Sequence, residues 1–389
     1  MGPATQQATA VKILIVKPSS LGDVVHALPV LRLLKLHLPH SQIYWWIEPR
    51  WAPLLEGDPD LAGVYLFERR RWARPAGWPE LLAQVQTLRA QRFDWVIDLQ
   101  GLARSAILAW LVNGQLCVGL DNPTEGGREA ARAFYDLTPP RCAPGTHAVD
   151  RYRAVLPLLG VPVHGQFVWL PPRAEVAQQL RRKWDFEATC WTALVPGARW
   201  PTKRWPVEHF AQLTQRLAAA VPQVRFVVLG SAEDAPLAEP IVQAVPRRVL
   251  NLTGAVSLPE LVEWLRLSRL VIAGDTGPLH LADALGTPLI ALFGPTEPAS
   301  TGPYRQRQGV LQNRSLPCAP CQRMTCTFAR RMECLWSITP EQVCAAALER
   351  LGARAEPLPG AAAAAQGGSA VPVHQSNPRC SSSSSLSPR

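Results

Sequence analysis

Four loops carry residues whose types and spacing can do chemistry on a charged, hydroxyl-bearing substrate. The first is Pro18-Ser19-Ser20-Leu21-Gly22-Asp23, between an apolar strand and a helical stripe. Gly22 permits a tight turn and Asp23 stands at the helix start, where the helix dipole keeps a carboxylate ionised. Such a carboxylate either caps the helix or accepts a proton from a hydroxyl. The second loop is Gly274-Asp275-Thr276-Gly277-Pro278-Leu279-His280, again after a strand and ahead of a helix. Gly274 and Gly277 let backbone N–H groups approach a ligand, and Thr276 adds a hydroxyl. A helix N-terminus favours anions, so the loop suits a diphosphate; turn glycines with an Asp or Thr cap are the plainer reading. Phe293-Gly294-Pro295-Thr296-Glu297-Pro298 follows the next strand on the same rim. In the fourth loop, Pro196–Trp205, Arg199 or Lys203 can neutralise charge growing on a diphosphate leaving group, or be a solvated basic residue. Neither a dinucleotide G-x-G-x-x-G fingerprint nor a Walker loop is present.

Two further clusters leave their chemistry open. Arg69, Arg70, Arg71 and Arg74, with Trp72, can grip phosphates or carboxylates or form a solvated face. Cys318, Cys321, Cys326 and Cys334 have a spacing able to hold zinc or an iron–sulfur cluster. They lack the paired Cys-x2-Cys knuckles of a ribbon site, so a loop of reduced thiols is the expectation, with no metal and no cofactor.

The elements that must position these loops alternate. Lys12–Lys17, Gln42–Ile47 and Trp95–Asp98 read as strands in the first half, with helices over Asp23–Leu38, from near Gly101, and over 146–159. The alternation restarts with strands Trp191–Pro196, Val224–Leu229, Leu270–Ala273 and Pro288–Phe293. Helices are expected at Val207–Ala220, Leu237–Val245, Pro259–Leu267 and His280–Leu285. This predicts an α/β chain of two Rossmann-like domains with parallel sheets facing a central cleft, ligands sitting at strand C-terminal ends. The expected boundaries are 11–165 for the first domain, a Pro-rich connection at 166–190 and a second domain at 191–355. A low-complexity tail, 356–389, is expected to be disordered and without catalytic role.

Composition narrows the partners. The 389 residues suit two α/β domains, and a 47% apolar fraction supplies their cores. No apolar run approaches the roughly 18 residues of a membrane span. Residues 1–10 do not read as a signal peptide, so a cytoplasmic protein is expected. The net charge of +10 suits polyanionic partners. No nucleic-acid-binding module is recognisable, so nucleic acid is not an expected partner. Some of the fourteen Trp can sit at a lipid headgroup boundary, though most are expected in cores or pockets.

Two segments carry a family likeness. VKILIVKPSSLGDVVHALPVL resembles the opening of glycosyltransferase family 9, and GDTGPLHLADALGTPLIALFGPTEP resembles that family's donor-site segment. ERRRWAR, FDWVIDLQGLARSA, GGREAARAFY and HAVDRYRAVL are similar to lipopolysaccharide heptosyltransferases of the first type. PCAPCQRMTCTFARRMECLWSITPEQV departs from that type and is more like the Cys-containing segment of other family members. The resemblance spans roughly residues 11–350. It implies a GT-B fold, with acceptor on the N-terminal domain and nucleotide sugar on the C-terminal one. It also implies inverting, metal-independent transfer of heptose from ADP-heptose to the Kdo region of a lipid A acceptor, at the cytoplasmic face of the inner membrane. On that basis Asp23 becomes the general base and Lys203 a phosphate contact and leaving-group stabiliser. Arg199, Thr202, Gly274, Asp275, Thr276 and Gly277 become donor-binding, with His280 supporting their loop. Ser20, Gly22, Gln100, Arg70, Arg71 and Arg128 become acceptor-binding. The alternatives are another nucleotide sugar or acceptor within the family, and a nucleotide-sugar epimerase of similar architecture.

Overall fold

The computed structural model describes residues 10–121 and 129–352; Arg128 and the tail 356–389 fall outside them. The first sheet holds β1 (Lys12–Val16), β2 (Gln42–Ile47), β3 (Gly63–Leu66), β4 (Trp95–Asp98) and β5 (Leu116–Gly119), all parallel, in the order β3-β2-β1-β4-β5. The second holds β6 (Cys190–Val195), β7 (Val224–Val228), β8 (Val249–Asn251), β9 (Leu270–Gly274), β10 (Leu289–Phe293) and β11 (Val310–Gln312). Its order is β11-β10-β9-β6-β7-β8, again parallel. Helices cover both faces, so central strands are apolar along their whole length, as LVIAG and LIALF are.

Both sheets reverse strand order once, between β1 and β4 and between β6 and β9. A crevice opens outside the strand ends at such a reversal, and ligands of open α/β sheets bind there. Loops 17–20 and 99–102 occupy the first crevice; loops 196–204 and 275–276 occupy the second. The topology therefore places three of the four sequence-selected loops at switch points, and Gly294–Glu297 follows the neighbouring β10.

The structure corrects several expected boundaries. The first long helix is Leu21–His37, beginning two residues before Asp23. The helix expected at His280–Leu285 begins at Gly277, with Pro278 in its first turn, where a missing N–H costs nothing. The segment 146–159 divides into a helix at Ala148–Arg153 and a short 3-10 turn at Pro157–Leu159. Within 166–190, Ala174–Lys183 is helical. Strands β3, β5, β8 and β11 were not anticipated. All four are sheet edges of three or four residues, too short for a long apolar run.

One apolar cluster runs through both domains, joining Leu21, Val24 and Leu28 to Leu279 and Leu281. Arg32 anchors the connection by pairing with Asp58 at 2.5 Å and donating to the Trp169 carbonyl at 3.1 Å. Among the described residues no helix is long and apolar enough to cross a membrane.

Candidate active site

The first half of the site grows from the end of β1. Ser20 is the N-cap of the helix Leu21–His37, and Asp23 reaches back to it: Oδ2 accepts from the Ser20 amide at 3.0 Å and its hydroxyl at 2.7 Å. Asp23 is thus the third helical residue, closing the return arm of a capping box. Its other oxygen, Oδ1, accepts from the Tyr152 hydroxyl at 3.1 Å, delivered by the helix Ala148–Arg153. Burial alone would raise this carboxyl. The Lys17 ammonium and the Ser20 and Tyr152 hydrogen bonds outweigh it and hold the carboxyl below its ordinary value. Capping and proton acceptance are therefore compatible, since one oxygen serves the helix and the other faces Tyr152. Lys17 is only 1% exposed and stacks its ammonium 4.6 Å from the Tyr152 ring. Neither Lys17 nor Tyr152 was selected from sequence, although Lys17 sits at a strand's C-terminal end.

The second half is built on β9. A Cβ on Gly274 would lie 2.5 Å from the Lys203 carbonyl oxygen, so only glycine lets the turn Pro201–Lys203 rest on the strand end. The Lys203 ammonium then meets Asp275 Oδ2 at 2.7 Å and lies 4.4 Å from the Trp200 ring. His280 Nε2 stands 3.4 Å from Asp275 Oδ1. Asp275 is 8% exposed; burial pushes its carboxyl up, but His280 and Lys203 pull it well below the usual range. Lys203 is consequently a positioned cation rather than a solvated one. Thr276 is the N-cap of the helix Gly277–Leu285; Pro278 has no amide N–H and the Leu279 amide donates to the Thr276 carbonyl at 3.1 Å, so Gly277 carries the amide available to a ligand there. Thr202 is buried, and its hydroxyl donates to the Arg323 carbonyl at 3.0 Å, tying the turn to the Cys-bearing segment.

The halves meet through two glycines. A Cβ on Gly22 would lie 2.5 Å from His280 Cδ2, and one on Gly277 would lie 2.6 Å from Leu21 Cδ2. Two helix N-termini, one per domain, are thereby pressed together beside Asp23 and Asp275. Three imidazoles continue the seam: His280 to His26 at 4.4 Å between ring centroids, and His26 to His147 at 5.2 Å. His147 Nε2 bonds the Gly302 carbonyl at 2.9 Å, across the domain boundary. Burial pulls His26 well down and His147 down to about 4, so both are neutral at pH 7. Gly22→Ala should cost roughly 1–3 kcal/mol of stability by overpacking this contact. Thermal unfolding should show a lower Tm, largely recovered when His280 is also shortened to alanine.

Guanidiniums from both domains gather at the mouth of the cleft. Arg50 follows β2, and its pKa is lowered first by burial and then by repulsion from Arg70, Arg69 and Arg199, against the pull of Glu48. Arg199 of the second domain therefore stands within electrostatic reach of the first-domain arginines. Glu48 pairs with Arg69 at 2.9 Å and with Arg50 at 3.3 Å. Arg71 pairs with Glu80, away from the Glu48 group, while Arg70 and Arg74 are exposed. Arg50 was missed from sequence because it stands apart from the arginine run and joins it only through the fold. Gln100 lies on the rim after β4; its amide donates to Asp98 Oδ1 at 2.7 Å, and its Oε1 is buried without a partner.

The arrangement pairs an ionised carboxylate on one domain with a fixed ammonium and a helix N-terminus on the other, under a basic mouth. Comparison with known proteins gives this arrangement a family. The profile of glycosyltransferase family 9 (heptosyltransferase) matches residues 81–331. Lipopolysaccharide heptosyltransferase 1 of Pseudomonas aeruginosa is 33% identical over 333 residues, 82% of this chain and 88% of that protein. Lipooligosaccharide heptosyltransferase 2 of Haemophilus influenzae is 29% identical, over 77% of this chain and 88% of that protein. Among solved structures, the chain is similar to a family 9 glycosyltransferase from Veillonella parvula, with a TM-score of 0.74 at 23% identity over 88% of this chain and 97% of that one. It is also similar to E. coli heptosyltransferase WaaC with ADP, with a TM-score of 0.69 at 27% identity over 87% of this chain and 100% of that one. The two parallel domains are those of a GT-B fold, and the chain belongs to glycosyltransferase family 9, the heptosyltransferase family.

Proposed function

We propose that this glycosyltransferase moves heptose from ADP-heptose to the Kdo region of the lipopolysaccharide inner core, by one inverting displacement. The observation that carries the reading is the close approach of Gly22, the neighbour of Asp23, to His280, whose Nε2 stands 3.4 Å from the Asp275 carboxylate that holds Lys203. WaaC, 27% identical, has been solved with ADP and with ADP-2-deoxy-2-fluoro heptose, which supports an ADP-linked donor.

In this mechanism Asp23 Oδ1 takes the acceptor hydroxyl's proton as the hydroxyl attacks the anomeric carbon. Tyr152 fixes the orientation of the carboxylate, and Lys17 keeps it ionised. Charge migrates to the ADP β-phosphate as the glycosidic bond breaks. The Lys203 ammonium and the Gly277 amide at the start of the helix Gly277–Leu285 receive it, with Asp275 holding Lys203 in place. The displaced charge stays on ADP, and the proton stays on Asp23 until solvent removes it. Closure of the two domains excludes water, the competing acceptor.

Arg50, Arg70 and Arg199 suit the carboxylates of Kdo and the phosphates of lipid A, and the same charge draws the enzyme to an anionic bilayer's cytoplasmic face. Arg70→Ala should raise the acceptor KM by roughly 10-fold with kcat nearly unchanged, an effect that shrinks as salt screens the site. Donor choice is tested by offering ADP-heptose, ADP-glucose and UDP-glucose with a Kdo-bearing lipid A. A mass gain of one heptose from ADP-heptose alone is expected. Equal or better transfer from another nucleotide sugar rejects the donor, and sugar rearrangement without any acceptor would instead mark an epimerase.

A further inference from the structure

The segment carrying Cys318, Cys321, Cys326 and Cys334 is folded against the donor side of the site. The Gln322 amide donates to the Pro295 carbonyl at 2.7 Å, and the Arg323 carbonyl accepts from Thr202. All four cysteines line one cavity of about 20 Å³, whose wall also includes Thr202 and Pro295. Thr202 is the middle residue of the turn that ends in Lys203, and Pro295 belongs to the glycine turn after β10.

Three features of this cavity point to chemistry. Its sulfurs are reduced and unlinked. Cys318, Cys321 and Cys326 come from irregular chain and Cys334 from the short helix Glu333–Trp336, so tertiary folding and not one helix face brings them together. The Met332 amide donates to Cys326 Sγ at 3.3 Å, a bond that stabilises a sulfur carrying negative charge. The cavity, about 20 Å³, has room for one water-sized sphere and hence for a single ion.

We propose that Cys318, Cys321, Cys326 and Cys334 bind one divalent transition metal ion, Zn²⁺ or Fe²⁺, in tetrahedral thiolate coordination, and that the ion braces the Lys203 turn. Four-sulfur tetrahedral sites select these metals. Among the described residues no three potential ligands already stand close enough to hold an ion. Loading therefore draws the cysteine side chains inward by rotation, and each thiol gives its proton to solvent as it ligates. The ion sits behind the donor loops and takes no part in the displacement, which keeps the transfer itself metal-independent.

The full-length chain, purified under reducing conditions without chelator, should carry about one zinc or iron ion per molecule by elemental analysis. The Cys318→Ser/Cys321→Ser double variant should lose it, while Cys190→Ser, outside the cluster, keeps it. If the double variant fails to fold, wild-type chain stripped of metal answers the same question. Titration with Co²⁺ alone should produce the intense thiolate-to-cobalt absorption and visible bands of a tetrahedral site, saturating at one equivalent. Stripping should also raise the KM for ADP-heptose by on the order of 10-fold, through a loosened Lys203 turn. A chain that carries no stoichiometric metal and gives no cobalt–thiolate absorption overturns the proposal. That result leaves the transferase reading untouched, because neither readout involves sugar transfer.

Discussion

Asp23→Ala should lower kcat by about 10³-fold while ADP-heptose binding, followed by calorimetry, changes little. General-base assistance is worth roughly 10²–10⁴ in rate, and Asp23 sits on the first domain, apart from the Lys203–Asp275 pair to which the proposed mechanism gives the donor phosphates. The loss of the capping-box arm from Ser20 costs stability as well, of the order of 1 kcal/mol. Asp23→Asn separates the effects, since an amide keeps a hydrogen-bonding oxygen but accepts no proton. Its kcat should fall like that of Asp23→Ala while its Tm stays nearer the wild type. The pH dependence follows in sign. A carboxyl held below its ordinary value is already ionised above about pH 5, so protonation of Asp23 imposes no acidic fall in rate between pH 5 and 8. Tyr152→Phe removes one of the bonds that lower it. The acidic limb of kcat should then move to higher pH. A limb that stays in place would show that Tyr152 does not tune the base.

Lys203→Ala comes second in size, with kcat expected to drop about 10²–10³-fold, the range for losing one stabilising charge on a leaving group. Unlike Asp23→Ala, it should also weaken ADP binding. The substitution leaves Asp275 buried with His280 as its remaining neighbour, so part of the damage is structural. Lys203→Ala/Asp275→Asn removes that unpaired charge. The double variant should recover stability in thermal unfolding without recovering kcat. Recovery of both would mean that Lys203 serves only to neutralise Asp275, and the leaving-group role would fall.

The sequence made the strand-end loops legible, because loops that follow apolar strands are where open α/β sheets bind ligands. Asp23, Lys203 and the Gly274–Gly277 turn lie in such loops, where capping and turn-forming were equally open, and the resemblance to glycosyltransferase family 9 supplied their roles; the topology places them at its two switch points. Other partners stayed hidden because they are tertiary. Tyr152 reaches Asp23 across 129 positions of sequence, and Arg50 joins Arg199 only when the domains face one another. The double duty of Asp23, as a capping-box residue and a Tyr152 acceptor, needed the helix start at Leu21, two residues earlier than the apolar stripe suggested. In sequence Gly22 reads as a turn glycine and Gly277 as one that lets a ligand approach the backbone. The structure gives both a further task, making room for the opposite domain.

The central claim is tested most directly by following ADP release from ADP-heptose by the wild-type enzyme, with and without a Kdo-bearing lipid A acceptor. The account predicts release that is slow alone and strongly stimulated by acceptor, with one heptose gained by the lipid for each ADP formed. Release indifferent to the acceptor, or absent with every lipid offered, would contradict the proposed reaction.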